Sequence, residues 1–532
     1  MASYEMKNRA SSANHEMLEM DSRDARDNAA LARLGKKPVL KRNFGILSII
    51  GLSCTILATW EGILSTFTIP LENGGSAGAV YSFIFAWTGT ACSFVLLSEM
   101  ASMAPTSGGQ YHWCAMLAPP RYMKFLSYIT GWLTVIGWQA AFASSSYMAG
   151  TEIQGAIILG RNAYNALPYQ GTLLMWAVVL VAFGVNTIGG KFLPRLETLI
   201  LVIHILGYFG VLIPMTYMAD HKSTREVFTE FTNGGNLYTD GLSFFVGMTG
   251  CVFAFAGGDA AVHMAEEVNH ATVVIPRAIL LSVAINGTLG FTMLIATLFC
   301  MGSVEKALKT PTGYPFMEIF QQATGSVSGA LGLSSILVIV GICAALAMLT
   351  ATSRQFWSFA RDRGVPGWRI WSHVSNRTFL PTYAIFLTMT ICCLLGLINI
   401  GSSVALNDVV SMAVSGLYSS YLIVAVLLLW RRSTGSISNH NESDDSVVNV
   451  PGAKLMWGPF RVPGIWGIII NTYAIIYIVI VIFFSYWPTE LPVSVDNMNY
   501  SVVGTFGTVI LAIIYYVLRA RHVYTGPVVE LS

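Results

Sequence analysis

Apolar stretches, each closed off by polar or Gly/Pro-rich turns, recur along the chain from Phe44 almost to Arg519. A helix rising 1.5 Å per residue needs about 20 such residues to cross a hydrocarbon core about 30 Å thick. Reading for runs of this kind predicts twelve spans, near 44–70, 77–102, 125–158, 171–189, 197–218, 241–267, 277–301, 329–357, 381–400, 405–430, 465–487 and 500–518. Helices are the element expected, because open strands would leave backbone groups unpaired in lipid and closed barrels use much shorter alternating segments.

Composition agrees with the pattern. Of 532 residues 54% are hydrophobic and 11% charged, about half the charged share of a soluble domain. The expected fold class is an all-α polytopic membrane protein. Residues 1–43 form a polar tail without the features of a cleaved signal, so the first helix is expected to be its own targeting signal. The transmembrane domain is expected over 44–519, a flexible loop over 433–460 and a second tail over 520–532.

The distribution of basic residues adds an orientation. With the start of the chain in the cytoplasm, all but five of the 30 Lys and Arg fall on the cytoplasmic side, the five being Arg161, Lys222, Arg225, Lys306 and Lys309. That bias predicts cytoplasmic N- and C-termini. The plasma membrane is the expected host, with the vacuolar membrane as the alternative. A net charge of +2 points to no nucleic-acid partner, and the eight cysteines show no CxxC spacing. No metal site, disulfide framework or cofactor is expected.

Two spans are interrupted. The first breaks at "TWEGI", Thr59–Ile63, and the sixth at "FAFAGGDAA", Phe253–Ala261. These positions correspond if the first ten helices form two five-helix halves, and paired breaks are the sequence mark of a transporter with its substrate site where the broken helices meet. Taken singly, each glycine could instead serve close helix packing. The candidate substrate contacts are Thr59, Trp60, Glu61 and Gly62 on the first span, and Phe255, Ala256, Gly257, Gly258 and Asp259 on the sixth.

Ionisable groups inside the spans are few, and each costs enough in lipid that it is expected to face a cavity or a partner. Glu61 stands where a half-helix restarts, a place that favours negative charge. There it would compete with a substrate carboxylate for the free amides, which predicts a preference for a cationic amine. Asp259 either caps the restarted half of the sixth helix or touches the ligand. Asp259, His263 and Glu266 or Glu267 are spaced to share one helical face. That face is either an inner gate closing on Arg354 and Arg361 or a static hydrated surface. His204 is either a proton carrier or a neutral histidine bonded to a backbone carbonyl.

Three longer stretches carry a resemblance: "GGSAGAVYSFIFAWTGTACSFVLLSEMASMAPTSGGQYHW" from Gly74 to Trp113, "GGDAAVHMAEEV" from Gly257 to Val268, and "SRQFWSFARDRGVP" from Ser353 to Pro366. With them the chain resembles the amino acid-polyamine-organocation (APC) transporter superfamily and, within it, the fungal amino acid/choline permease family. The resemblance implies a leucine-transporter-type fold of five plus five inverted helices, two additional C-terminal helices and alternating access. The superfamily's "GSG" break would fall on Trp60, Glu61 and Gly62, where one glycine of the pair is kept. Its acidic residue after the second break would fall on Asp259, its following His and paired Glu on His263, Glu266 and Glu267, and a helix-five lysine that replaces a sodium ion in some members on His204.

The expected function is therefore a secondary transporter of a small amine or amino acid (choline, GABA, a polyamine or an amino acid) that imports with protons. A nutrient sensor that kept the fold and an exporter of an amine metabolite are the alternatives. An enzyme is disfavoured, since no nucleophile elbow or metal-ligand cluster appears. The loop after the second span, "APTSGGQYHWCAMLAPPRYMK", lacks the glycine-plus-basic signature of the major facilitators.

Overall fold

The structure is a computed structural model and describes residues 27–530 apart from 162, 402–404, 441–445 and 496, and the side chains of 401 and 405–407 are not described either. Helices hold 72% of the residues, with no strands among those described. Among the described residues ten helices are long and apolar enough to cross a membrane. This is the architecture of a polytopic membrane protein, as the apolar pattern predicts.

In chain order the elements used below begin with α1 (Ile46–Leu57), α2 (Thr59–Ser65) and α3 (Thr68–Glu72), which together make one span. Next come α4 (Gly75–Met103), α5 (Gln110–Leu117), α6 (Pro120–Gly160), α7 (Pro168–Thr187) and α8 (Leu193–Met218). The second half runs through α9 (Asp240–Phe253), α10 (Ala260–His263), α11 (Ala271–Cys300), α12 (Pro315–Thr324) and α13 (Val327–Arg361). It closes with α14 (Thr382–Leu395), α15 (Ala405–Ser433), α16 (Gly464–Ser485) and α17 (Ser501–Tyr515). The ten membrane-length helices do not include α6, which is 41 residues long, or α9, which has 14 residues.

Unlike a soluble protein, the bundle carries apolar side chains on its outside as well as in its core. Along α8 the outward positions are Leu199, Val202, Leu206, Phe209 and Ile213, while Glu197, His204 and Tyr208 turn into the bundle. Lipid solvates the apolar side chains, and polar groups must find partners inside.

The first break lies one residue earlier than expected. Ala58 adopts the left-handed conformation (φ 40°, ψ 45°), and Thr59–Ser65 is itself helical. The Thr59 amide freed by the break donates to Asn286 Oδ1 of α11 at 3.3 Å. Gly62 does not break the helix; it allows contact with the sixth span, where a Cβ on it would lie 3.4 Å from Ala254 Cα. A left-handed residue bearing a Cβ costs about 1 kcal/mol. Ala58→Gly should therefore raise the thermal unfolding midpoint by an amount corresponding to about 1 kcal/mol, and Ala58→Val should lower it.

The second break runs through turns over 254–259 and is followed by the short α10 and a 3₁₀ turn at Ala265–Glu267. Gly257 has φ +90°, which only glycine holds without strain. Gly258 is required by packing, since a Cβ there would sit 1.8 Å from Phe94 Cε2. Because the α-helix stops at His263, Asp259, His263, Glu266 and Glu267 do not form one continuous α-helical face.

Both described chain ends pack on the same face of the bundle. The Asn43 and Phe44 amides donate to the Glu267 carbonyl, the Val528 amide donates to Asp362, and the Glu530 amide donates to the Gly35 carbonyl at 2.6 Å. Within the segment expected as a loop over 433–460, Asn449 Nδ2 donates to the Met103 and Met456 carbonyls, and the Val448 amide donates to the Arg33 carbonyl.

Candidate functional site

Glu61 lies in the first turn of α2 and is 4% exposed. Its Oε1 is 2.6 Å from His204 Nδ1 of α8. The restart of the helix after Ala58 points this carboxylate at α8, while Trp60 packs edge-on to Tyr208 and tilted against His204. Glu61 Oε2 and His204 Nε2 are both buried without a hydrogen-bond partner. The pair therefore keeps one acceptor and one ring nitrogen unused, the chemistry needed to hold a proton or an ammonium group. His204 is bonded to a carboxylate, not to a backbone carbonyl.

One turn further along α2, Ser65 Oγ donates to Glu152 Oε1 of α6 at 2.5 Å. Beside Ser65 opens a cavity of about 310 Å³, on the side away from the chain ends. Its lining includes Tyr147, Thr151, Gln154 and Tyr314, and Glu72 is the one charged residue in it among the described residues.

Asp259 occupies the N-cap position of α10, yet its side chain makes no capping bond. Four groups converge on it instead. Gln110 Nε2 donates to Oδ2 at 2.6 Å, Trp138 Nε1 to the same oxygen at 3.3 Å and the Tyr421 hydroxyl to Oδ1 at 2.5 Å, with His263 Nε2 3.2 Å from Oδ2. These come from α5, α6, α15 and α10, so the carboxylate ties the second break to three other helices. Phe255 is buried against Phe83, and Ala256 is buried as well. The two breaks touch where Ile56 of α1 would meet a Cβ on Gly257 at 3.1 Å.

Toward the chain ends the arrangement becomes ionic. Arg361 makes a two-pronged pair with Glu266 (2.7 Å on each prong), and Arg354 Nε donates to Glu267 at 2.9 Å. Lys36 and Asp362 form a third pair at 2.6 Å, both 1% exposed, and the Tyr111 hydroxyl donates to Asp362 at 2.7 Å. Burial raises Asp362, but Lys36 and Arg361 outweigh it and hold the carboxyl below the usual carboxylate range. Four of the residues expected at a gate, Glu266, Glu267, Arg354 and Arg361, are thus brought together. His263 is not among them, because its ring faces Asp259 and the Ser107 carbonyl.

His112, beside this cluster, is buried and bonded through Nε2 to the Asn449 carbonyl. Burial pushes its pKa down from 6.5 to about 4. The unfolded chain takes up the proton first, so the stability His112 contributes is present above pH 6.5 and is lost as pH falls towards 4. His112→Gln should flatten that part of the stability profile, removing a dependence of up to about 3 kcal/mol.

Reading the sequence missed Gln110, Trp138 and Tyr421 around Asp259, and Lys36 and Asp362 at the ionic end. Gln110 and Asp362 stand inside the stretches that carry the resemblance, so a signal was present for both. Tyr421 and Trp138 sit in ordinary apolar runs and offered none.

Two interrupted helices that touch inside a helical membrane bundle are the architecture of a membrane transport protein, and the relatives described next are permeases and transporters, not enzymes. The amino acid permease family model matches residues 44–509, and the chain belongs to that family. It is 30% identical over 459 residues to a protein of Macrophomina phaseolina whose name describes an amino acid/polyamine transporter, covering 86% of this chain and 98% of that one. It is 29% identical to a choline transporter of Saccharomyces cerevisiae, covering 91% of this chain and 82% of that one. To an amino-acid permease of Arabidopsis thaliana it is 27% identical, covering 96% and 97%.

Proposed function

We propose that the protein is a secondary active transporter of a small cationic amine, coupled to protons and working by alternating access. On this reading it has twelve spans arranged as five plus five inverted helices with two more at the C-terminal end, and both termini are cytoplasmic. The plasma membrane is the proposed host. The observation that carries the reading is the buried Glu61–His204 pair at the first break, with one acceptor and one ring nitrogen unused.

Charge supports a cation as substrate. The cavity beside Ser65 contains Glu72 and neither Lys nor Arg among its described lining residues, and Glu152 is held against Ser65 next to it. A zwitterion would need a donor set for its carboxylate, and at the first break the Thr59 amide is already taken by Asn286. The names of the relatives, an amino acid/polyamine transporter and a choline transporter, are consistent with an amine. Thr59, Trp60, Glu61 and Gly62, with Phe255 to Asp259, are the proposed substrate contacts. Glu266, Glu267, Arg354 and Arg361 are the proposed inner gate, closed here while the cavity lies on the other side.

The test is uptake of labelled choline, a polyamine, GABA, arginine and a neutral amino acid into transporter-deficient cells, in acidic and in near-neutral medium. The reading expects a cationic amine to enter faster in acidic medium. Uptake of the neutral amino acid alone, unaffected by pH, would refute it.

A further inference from the structure

Glu197 takes no part in the site described above, yet among the described residues it is the buried carboxylate with neither oxygen bonded. It lies in α8, is 0% exposed, and both carboxylate oxygens lack a hydrogen-bond partner. It stands seven positions before His204, two helical turns away on the same face with about 10 Å of rise. That face looks across at the first span. A Cβ on Gly51 of α1 would lie 2.4 Å from the Glu197 carbonyl oxygen, so the two backbones are in contact at this level.

The helices packed on α8 supply few titratable groups. The first span carries Cys54, Glu61 and, at its far end, Glu72; α13 carries Cys343, Arg354 and Arg361, α11 carries Arg277 and Cys300, α12 carries Glu318, and α8 itself carries Arg195, which is exposed. Glu61 is committed to His204, Arg354 to Glu267 and Arg361 to Glu266. Cys343 is in electrostatic reach of both Glu197 and Glu61, and a thiol cannot neutralise a carboxylate. No basic side chain pairs with Glu197 among the described residues.

We propose that Glu197 is a second proton-binding site, set between the Glu61–His204 pair and the face where the chain ends pack. A bare carboxylate without donors is costly in such a place, whereas the neutral acid is tolerated. A metal cation fits less well, since hard cations take about six oxygens and no group of three or more His, Cys, Asp or Glu that could hold a metal ion is found among the described residues. The site deepens the proton-coupled reading above: one proton is held at the first break and another two turns along α8, at the α1–α8 crossing. Separation of α1 from α8 at Gly51 would hydrate Glu197 and let its proton leave.

The experiment reads the proton directly. The full-length protein in lipid vesicles is titrated from about pH 9 to about pH 5 and followed by infrared difference spectroscopy in the carboxylic-acid carbonyl region. The expected result is a buried-acid band that grows as pH falls, is lost in Glu197→Gln and persists in Glu61→Gln. An identical set of bands in wild type and Glu197→Gln would overturn the proposal. If Glu197→Gln does not fold, Glu197→Asp decides, because a displaced band supports the site and an unmoved one removes it. The measurement needs no substrate. A Glu197 band in a protein that moves no amine would leave this site standing and sink the transport reading instead.

Discussion

Glu61→Gln is expected to reduce uptake of a cationic amine at least about 100-fold with the protein still folded and in the membrane. Glutamine keeps the size of the side chain and removes its charge, so His204 loses the carboxylate 2.6 Å from Nδ1. Breaking one side of a buried charged pair costs about 3–5 kcal/mol, and about 1.4 kcal/mol is worth a factor of ten. His204→Gln should produce a loss of similar size. The double substitution should be little worse than either single one, since both act on one unit and their effects do not add. Losses that multiply in the double variant would show that the two side chains work separately. Equal uptake of a zwitterionic amino acid by wild type and Glu61→Gln would make Glu61 a structural residue.

The second large effect is expected at the ionic end. Arg361→Ala removes both prongs of the pair with Glu266 and a guanidinium stacked 4.5 Å from the Trp357 ring. It leaves Glu266 buried and unneutralised by its partner, a loss of about 3–5 kcal/mol. If this pair holds the gate shut, a thiol introduced at Ser107, whose amide donates to Glu266, should react about tenfold faster with a water-soluble reagent in the Arg361→Ala background. Arg361→Lys should rescue only in part, because lysine cannot make the two-pronged contact. A neutral pair, Glu266→Gln with Arg361→Gln, should recover more stability than either single change. Unchanged thiol reactivity in Arg361→Ala would show that the pair is not a gate.

How much of this could be read from the sequence follows the physics of each feature. The spans were legible because lipid imposes a simple rule of length and apolarity, and α7, α8, α11 and α16 begin and end within a few residues of expectation or overrun it at one end. The second break was legible because Gly257-Gly258 marks it. The first was misplaced by one residue, because Ala58 in a left-handed conformation has no signature in sequence and depends on Asn286, far along the chain, to accept the freed amide. Glu61 and His204 were each singled out by their cost in an apolar run, but as unrelated candidates. That they pair is a fact of packing between two helices, which the local pattern of neither contains. The same limit hid Tyr421 and Trp138 around Asp259, and it made capping look attractive for a carboxylate that is bonded to other helices instead. Charge could be counted from sequence, but which arginine meets which glutamate could not: Arg361 takes Glu266 and Arg354 takes Glu267.

A cationic amine and a proton are expected to cross together. Purified full-length protein in liposomes, with the outside made acidic relative to the lumen, is given the labelled amine that the cell assay selects, and amine uptake and lumenal pH are followed together. Amine is expected to accumulate above its outside concentration while the lumen acidifies faster than in protein-free vesicles, and collapsing the pH gradient should stop both. Amine that merely equilibrates, with the same lumenal pH trace whether or not amine is present, would contradict it.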